Sequence, residues 1–309
     1  MRIIFMGTPS FAVPVLQALV KGGHSIVGVY TQPDRPAGRG RGLSISSVKG
    51  IALQHQLPVF QPRSLRSPQA LEEMRKLEPD VIIVSAYGRI LPPAILEVPP
   101  HGCLNVHPSL LPRHRGPSPI QAAILAGDQE TGVSIMKMDV GMDTGPVLAQ
   151  IKVSIGPDDT GGTLADRLAI LGSELLPEVL QGWVEGKIQA EPQNEGNASY
   201  SHLIQKEEGV IDWGLPAEVI WRQVRAFNPW PTAYTHFRAK VIKILEAYPL
   251  SLAAGTPGKV MPLGQDRAGV ACGEGVLELK SVQLEGRRPM PLADYLRGQR
   301  DFLGSTLGK

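Results

Sequence analysis

The sequence predicts an α/β protein in two parts: an open, mostly parallel β-sheet covered by helices, followed by a small antiparallel β-barrel. Three observations indicate this. The 309 residues exceed a single typical core, the first half alternates strand-like and helix-like segments, and the second half has short apolar segments between Gly and Pro turns. We expect a first domain over residues 1–188, a linker over 189–205 and a second domain over 206–309.

The elements of the first domain follow from apolar periodicity. The segment DVIIVSAYG is apolar on both faces, as a strand buried in a parallel sheet should be. The first helix has apolar residues at Phe11, Val15 and Leu19, and Pro14 lies in its first turn, where a missing N–H does least harm. The predicted strands span residues 2–6, 25–31, 80–88, 102–107, 131–141 and 145–155, and the predicted helices span 10–22, 117–128 and 163–186.

Before the second domain, the sequence changes in composition and loses its periodicity. The polar segment KIQAEPQNEGNASYS has Pro, Gly and Asn without periodicity, which is typical of a linker. In the later segment VLELK, Leu277 and Leu279 flank Glu278, which we expect to point outward. Short strands between turns favour a small antiparallel barrel. Strands are predicted over 233–237, 240–247, 258–262, 269–272 and 276–284, and helices over 216–227 and 292–302.

Composition limits the class of protein and its setting. A net charge of +2 is too small for the whole surface to bind nucleic acid, although residues 205–309 carry 14 Lys and Arg against 11 Asp and Glu. The two cysteines, Cys103 and Cys272, are too few for a disulfide framework or a structural zinc site. With no signal-peptide pattern and no apolar run long enough to cross a bilayer, we expect a cytoplasmic protein without membrane contact.

A candidate site begins at LNVHPSLLPRHRG, with Asn105 and His107. Residues i and i+2 of a strand share a face, so both side chains point the same way at the C-terminal end of a strand, where open α/β sheets bind ligands. The prolines that follow prevent a regular strand or helix, and we expect an ordered loop over that edge. Taken alone, an Asn and a His at a strand end also occur as local hydrogen-bonding residues.

The segment DVGMDTGP adds Asp143 at the exit of the next strand. Its glycines give a tight, permissive turn, although Asp also favours such turns for local reasons. Asn105, His107 and Asp143 on neighbouring strand ends would suit acyl transfer to an amine. The amide and an imidazolium would hold a developing oxyanion, and the carboxylate would raise the pKa of the imidazole, fix its tautomer and help to collect the amine's proton. No Ser or Cys is placed as a nucleophile beside a base, so we expect direct attack by the acceptor.

Two other readings of these strand ends are weaker. Four residues share one strand parity and could ligate a metal: His101, Cys103, Asn105 and His107. A Cys inside an apolar strand usually belongs to the core, however, and no carboxylate lies between these residues, so we expect no metal. The N-terminal MGTPSF has one glycine where a dinucleotide-binding turn needs three, which argues against a nicotinamide cofactor.

The segment TQPDRPAGRGRGLSIS forms a long loop over residues 31–46. Its basic residues Arg35, Arg39 and Arg41 lie among glycines and a proline. Loops of this length are usually functional or disordered, and flexible arginines suit a phosphate backbone. A solvated mobile loop is the alternative.

Together these segments resemble the methionyl-tRNA formyltransferase family over nearly the whole chain. The similar segments are RIIFMGTPSFAVPVLQAL, TQPDRPAGRGRGL, AYGRILP, LNVHPSLLPRHRGPSPIQAAI, TGVSIMKMDVGMDTGP and RAFNPWPTAY. The strip around Asn105, His107 and Asp143 is shared with other enzymes that use 10-formyltetrahydrofolate, including glycinamide ribonucleotide formyltransferase, so it indicates the chemistry and not the acceptor. The arginine loop and FNPWP favour the tRNA enzyme.

The resemblance implies a Rossmann-like catalytic domain, an OB-like C-terminal barrel and a monomer. It implies transfer of a formyl group from 10-formyltetrahydrofolate, the donor substrate, to the α-amino group of methionyl initiator tRNA, without a metal. By resemblance, the catalytic residues are Asn105, His107 and Asp143, the folate-binding residues are Ser109, Leu110, Leu111 and Pro112, and the tRNA-binding loop at 33–43 carries Arg35, Arg39 and Arg41.

The mechanism implied by the resemblance uses His107 and Asn105 to stabilise the oxyanion. Asp143 would position His107 and assist proton transfer to the departing N10. Two alternatives stay open: another 10-formyltetrahydrofolate-dependent formyltransferase, acting on a nucleotide or an amino sugar, and a hydrolase that transfers the formyl group to water.

Overall fold

The computed structural model describes residues 1–37, 42–253 and 255–308, which form two compact units. The first unit comprises Met1–Pro119, Glu130–Ser154 and Ala165–His202. The second comprises Ile120–Gln129, Ile155–Leu164 and the described residues from Leu203 onward.

The first unit is built on a seven-stranded sheet in the order β5-β2-β1-β6-β7-β8-β9. Pairing is parallel from β5 to β7 and antiparallel from β7 to β9, and β3 and β4 pair in a separate two-stranded antiparallel sheet. The strands are β1 (Arg2–Gly7), β2 (Ser25–Tyr30), β3 (Arg35–Ala37), β4 (Gly42–Ser44), β5 (Val59–Phe60), β6 (Val81–Ser85), β7 (Cys103–His107), β8 (Glu130–Lys137) and β9 (Val147–Ser154).

Several of the α-helices up to residue 184 begin at a local sequence signal. Ser46 and Ser67 cap two of them by accepting hydrogen bonds from the backbone N–H groups of Lys49 and Ala70, and Pro14 lies in the first turn of α1 as predicted. The helices are α1 (Val13–Lys21), α2 (Ser47–Gln54), α3 (Pro68–Lys76), α4 (Pro93–Leu96), α5 (Pro119–Ala126) and α6 (Gly161–Val184).

The predicted mostly parallel α/β fold is therefore confirmed. Strand β6 is buried at all five positions, in agreement with its apolar sequence on both faces. Residues 131–141 and 145–155, both predicted as strands, contain β8 and β9, which pair antiparallel.

The second unit contains an antiparallel sheet, in the order β10-β11-β14-β13-β12 with β15 on β14, that curls into a half-barrel. Its core includes Ile220 and Val224 from α7, which pack with the inner face of the sheet. The predicted small antiparallel domain is confirmed. Its elements are α7 (Ala217–Ala226), β10 (Tyr234–Phe237), β11 (Lys240–Leu250), β12 (Val260–Gly264), β13 (Arg267–Ala271), β14 (Val276–Leu284), β15 (Met290–Pro291) and α8 (Leu292–Gly298).

Glu278 on β14 alternates with Leu277 and Leu279 of the core, as expected for an outward residue. It is nevertheless only 4% exposed. Arg267 and Lys280 cover it, with nitrogen–oxygen distances of 2.7 and 2.9 Å, and the hydrogen bond from Arg267 is the main cause that lowers the pKa of this carboxyl. A buried carboxylate needs such partners, and strand alternation alone does not show them.

The segment expected to be a linker is hydrogen-bonded to the first unit over much of its length. Glu191 pairs with Val147, and Tyr200 pairs with Arg115, each as an isolated β-bridge. The predicted domain boundaries themselves stay predictions. In the part of the chain that the structure describes, every helix is too short or too polar to span a bilayer.

Candidate active site

Asn105 and His107 lie on one face of β7, as the two-residue spacing predicts. Val106 points to the other face, where it packs so closely against α6 that a Cβ on Gly172 would lie 2.7 Å from it. The face that carries Asn105 and His107 is therefore turned away from α6. This orientation leaves their polar groups available to the loops on that side of the sheet.

Asp143 lies beside Asn105 and His107, but the path of the chain to that position differs from the expected one. Because β8 is antiparallel to β7, its last residue, Lys137, pairs with Leu104 and not with the end of β7. The loop that follows β8 starts beside Cys103, whose carbonyl accepts from Met138. It then folds across the sheet to bring Asp143 opposite Asn105. The expectation of neighbouring strand ends was wrong, although the three side chains do meet.

The carboxylate of Asp143 is held by two hydrogen bonds. Asn105 Nδ2 donates to Oδ1 at 3.2 Å, and the backbone N–H of Gly116 donates to Oδ2 at 2.8 Å. Nδ1 of His107 lies 3.7 Å from Oδ2, which is an ion-pair distance but too long for a hydrogen bond. The amide, the imidazole and the carboxylate thus converge within one small volume.

The protonation of His107 differs from the expected one. Its Nε2 lies 3.1 Å from the carbonyl oxygen of His114, and because a carbonyl can only accept, Nε2 carries a proton. Burial is the largest influence and lowers the pKa of His107, against the opposing effect of Asp143. At neutral pH the ring is therefore uncharged, with the lone pair of Nδ1 facing Asp143. Asp143 does act to raise this pKa, as expected, but burial outweighs its effect, and the carbonyl of His114, not Asp143, determines the tautomer.

The segment predicted to bind folate forms the start of the loop after β7. Ser109 is fully buried, and its hydroxyl donates to the carbonyl of Arg113 at 2.6 Å. Leu111 is 5% exposed, and its backbone is held by Ser134 and Gln150. The hydroxyl of Ser109 and the backbone of Leu111 therefore support the loop itself. Leu110 and Pro112 are only partly buried, and the folate contact of all four residues stays a prediction.

Of the predicted tRNA-contacting arginines, only Arg35 can be placed, because Arg39 and Arg41 lie outside the described residues. Arg35 is exposed on β3. The start of its loop is fixed by Asp34, which accepts from Lys49 at 2.5 Å and from Gln61 at 2.8 Å. The base of the arginine loop is therefore anchored by a local network of polar groups.

Alternate residues from His101 to His107 suggested a metal site, but Cys103, one of them, belongs to the apolar core. Its thiol lies 3.8 Å from the carbonyl oxygen of Ile95 within the apolar core, and burial raises its pKa to about 12. Within residues 1–37, 42–253 and 255–308, no three His, Cys, Asp or Glu side chains are grouped to hold a metal ion.

Sequence reasoning missed two backbone groups, the carbonyl of His114 and the N–H of Gly116. Both belong to the loop RHRGP, and both residues have positive φ, +54° at His114 and +106° at Gly116. The glycine after two basic residues was the available signal, since glycine readily adopts this backbone. What it positions, a carboxylate 27 residues away, is not visible in the sequence.

Gly116 gives a first prediction. A Cβ there would lie 2.6 Å from the carbonyl oxygen of Ser201 on a left-handed backbone, so Gly116→Ala should lower the free energy of unfolding by about 1–3 kcal/mol. It should also reduce kcat, because the N–H that holds Asp143 moves. Urea denaturation and steady-state kinetics measure both effects.

The matched control is Gly186→Ala, at φ +69° with no neighbour within 4 Å. This variant carries a similar backbone strain of about 1–2 kcal/mol and should keep the normal kcat. If Gly116→Ala also kept it, the N–H of Gly116 would have no part in placing Asp143.

The fold and the site define the class of protein first. The sequence matches the formyl transferase family over residues 1–180 and the formyl transferase C-terminal domain over residues 203–300, so the protein is a formyl-transferring enzyme. It is 49% identical to the methionyl-tRNA formyltransferase of Marinobacter nauticus over 304 residues, 98% of each chain. It is 51% identical to that of Chloroflexus aggregans over 302 residues, 96% of this chain and 97% of the relative. The chain belongs to the methionyl-tRNA formyltransferase family.

Solved structures share the fold at lower identity. The N-formyltransferase of Helicobacter canadensis, solved with folinic acid and dTDP-3-aminofucose, superposes with a TM-score of 0.67 at 19% identity, over 90% of this chain and 98% of that one. HypX of Aquifex aeolicus, solved with tetrahydrofolic acid, superposes with a TM-score of 0.65 at 19% identity, over 99% of this chain and 48% of that one. At this identity they support the fold alone.

Proposed function

We propose that this protein transfers the formyl group of 10-formyltetrahydrofolate to the α-amino group of methionyl initiator tRNA. The observation that carries the proposal is the convergence of Asn105, His107 and Asp143 in a chain about half identical, over its full length, to methionyl-tRNA formyltransferases. The arrangement lacks a Ser or Cys nucleophile in hydrogen-bond contact with His107 among the described residues, which suits direct attack by the amine.

A folate as formyl donor is supported by two proteins of the same fold that were solved with folates bound.

The first step needs a base for the amine. The amine nitrogen forms a bond to the formyl carbon and must lose a proton, and free α-amines titrate near pH 8, so a fair share is already neutral. The lone pair on Nδ1 of His107 can accept the proton because Nε2 keeps its own on the carbonyl of His114. Asp143, 3.7 Å away, stabilises the imidazolium as it forms.

Asn105 is the group suited to the oxygen of the formyl group. One of its two amide hydrogens is used by Asp143 Oδ1, and the second is free to stabilise the negative charge that develops on that oxygen. The bond from the formyl carbon to N10 then breaks, and the proton held on Nδ1 of His107 goes to N10. Atoms and charge balance, and the imidazole returns to its neutral form.

The arginine loop gives a second prediction. Arg39→Ala combined with Arg41→Ala should raise KM for the tRNA and reduce the slope of log Kd against log salt by about one to two, because each lost phosphate contact removes nearly one released counterion. The measurement is tRNA binding between low and moderate salt. The control is Arg75→Ala combined with Lys76→Ala, which removes two exposed charges from α3. Equal salt slopes in the loop variant and the control variant would show that Arg39 and Arg41 make no contact with tRNA phosphates.

One assay tests the function itself. Purified protein is given labelled 10-formyltetrahydrofolate with one of five acceptors: charged initiator tRNA, charged elongator tRNA, free methionine, an amino sugar or an amine-bearing nucleotide. Transfer to charged initiator tRNA alone supports the proposal. Formate release without an acceptor would indicate a hydrolase, and transfer to an amino sugar or a nucleotide in place of the tRNA would indicate another formyltransferase.

We also propose that the enzyme works as a monomer in the cytoplasm. Cys103 and Cys272 are both free and buried, which suits a reducing compartment. Sedimentation of the purified protein at assay concentration tests the monomer, and fractionation of cells tests the compartment.

A further inference from the structure

The polar segment of residues 191–201 contacts both loops that build the active site. Toward the loop after β7, the hydroxyl of Ser199 accepts from the backbone N–H of His114 at 2.9 Å, and the carbonyl of Ser199 accepts from that of Arg115 at 2.8 Å. His114 is the residue whose carbonyl fixes the tautomer of His107. The segment therefore supports the partner of the proposed base.

Gln193 connects this segment to the loop that carries Asp143. Its amide Nε2 donates to the backbone carbonyls of Asp143 at 2.8 Å and of Gly145 at 2.6 Å. Its Oε1 accepts from Nε of Arg115 at 3.0 Å. One side chain thus uses both of its amide hydrogens and its oxygen to join the two loops.

Arg115 is a rigid partner for Gln193. It is fully buried, makes a two-point ion pair with Glu195 at 2.9 and 2.7 Å, and donates to the hydroxyl of Tyr200 at 3.0 Å. Its neighbour Gly116 donates to the carboxylate of Asp143. The contacts close a ring that runs from the carboxylate of Asp143 through Gly116, Arg115 and Gln193 back to the carbonyl of Asp143.

Asp143 needs such support because its backbone is strained. It has a φ of +53°, in the left-handed region that a residue with a side chain seldom adopts. Such conformations persist only where the surroundings hold them. Within the loop, Asp139 accepts from Gly141 and Thr144, whereas the carbonyl of Asp143 is held by Gln193.

We propose that Gln193 is a positioning residue that keeps Asp143 aligned with Asn105 and His107 by joining the Asp143 loop to Arg115. The inference deepens the proposed function and rests on it, since it assigns to Asp143 its part in the transfer. Gln193 itself contacts neither reacting group. A displacement of about 1 Å in a reacting group can lower a rate by about 100-fold, so the alignment of one carboxylate is enough to matter.

The test compares Gln193→Ala and Gln193→Glu with the unmodified full-length protein. Gln193→Ala should lower kcat by about 10-fold to 100-fold while KM for the folate and for the tRNA change less than about threefold. Gln193→Glu keeps the length and the acceptor for Arg115 but replaces the NH₂ group, the source of both donated hydrogen bonds, by one oxygen that repels the carbonyls of Asp143 and Gly145. Its kcat should be at least as low. The matched control is Asn194→Ala, which removes an adjacent exposed side chain that bonds only the N–H of Gly196, and it should keep the normal kcat.

A double-mutant cycle separates alignment from general stability. If Gln193 acts through Asp143, then Gln193→Ala should change single-turnover formyl transfer by less than about twofold in an Asp143→Ala background, because interacting residues are not additive. Independent effects in the cycle would overturn the inference. So would a Gln193→Ala variant that melts at a lower temperature but keeps kcat when assayed well below melting. Failure of the unmodified enzyme to formylate the tRNA would instead overturn the proposed function.

Discussion

Replacing His107 by glutamine is expected to lower kcat by about 10²–10⁴-fold, the range for loss of a general acid–base group, while folate binding is retained. The glutamine amide can reach the position of Nε2 and keep the hydrogen bond to the carbonyl of His114. It has no titrating nitrogen at the position of Nδ1. His107→Ala removes both groups, so a similar loss in the two variants would assign the effect to Nδ1.

The matched control is His101→Ala. His101 shares the strand parity of His107 but precedes β7, and it is held through its backbone, where its N–H donates to the carbonyl of Asp80 and its carbonyl accepts from Trp183. This variant should keep the normal kcat. A large loss of kcat in His101→Ala would support a metal site on this face of the strand. Near-normal turnover in His107→Gln would show that the imidazole takes no part in the mechanism.

The protonation state of His107 can be observed directly. Since burial lowers its pKa below the ordinary value of 6.5, nitrogen NMR of ¹⁵N-histidine-labelled enzyme should show a neutral ring with the proton on Nε2 at pH 7. Asp143 opposes this shift by favouring the charged ring, so Asp143→Asn should lower the pKa further. An imidazolium signal at pH 7 would contradict the assignment of Nδ1 as a base.

The sequence predicted well what depends on local pattern. The apolar run of β6 and the two-residue spacing of Asn105 and His107 reflect period-two geometry, which any strand obeys. The position of Pro14 in α1 reflects local helix chemistry in the same way. These features need no knowledge of distant contacts, and the structure has them as predicted.

The sequence could not predict features that depend on strand direction or on hydrogen bonds between polar residues far apart in the chain. Nothing in TGVSIMKMDVG shows that β8 runs antiparallel to β7, and this direction decides how Asp143 arrives. The burial of Glu278 depends on Arg267, a residue on another strand. Gln193 lies in a segment without periodicity, and its three hydrogen bonds are formed with residues that no spacing rule connects to it.

Asp143→Asn is expected to lower kcat by about 10²–10⁴-fold for two reasons. The negative charge that stabilises the imidazolium form of His107 is removed. The carboxylate also accepts at both oxygens, from Asn105 and from Gly116, whereas an amide can accept at only one. Whichever way the new amide turns, its NH₂ group faces another donor. The control Asp139→Asn changes an exposed carboxylate of the same loop that bonds only Gly141 and Thr144, and it should keep the normal kcat.

A double variant, Asn105→Asp with Asp143→Asn, tests whether restored hydrogen bonding is enough to restore turnover. In it the amide at position 143 accepts from Gly116 and donates to the new carboxylate at position 105, so every donor again has an acceptor. Thermal unfolding should return toward that of the unmodified protein. Turnover should stay low, because the oxyanion donor at position 105 has been lost and the charge near His107 has moved. Recovery of kcat together with stability would mean that Asp143 acts only as a hydrogen-bond acceptor for Asn105 and Gly116, and that its charge has no part in proton transfer.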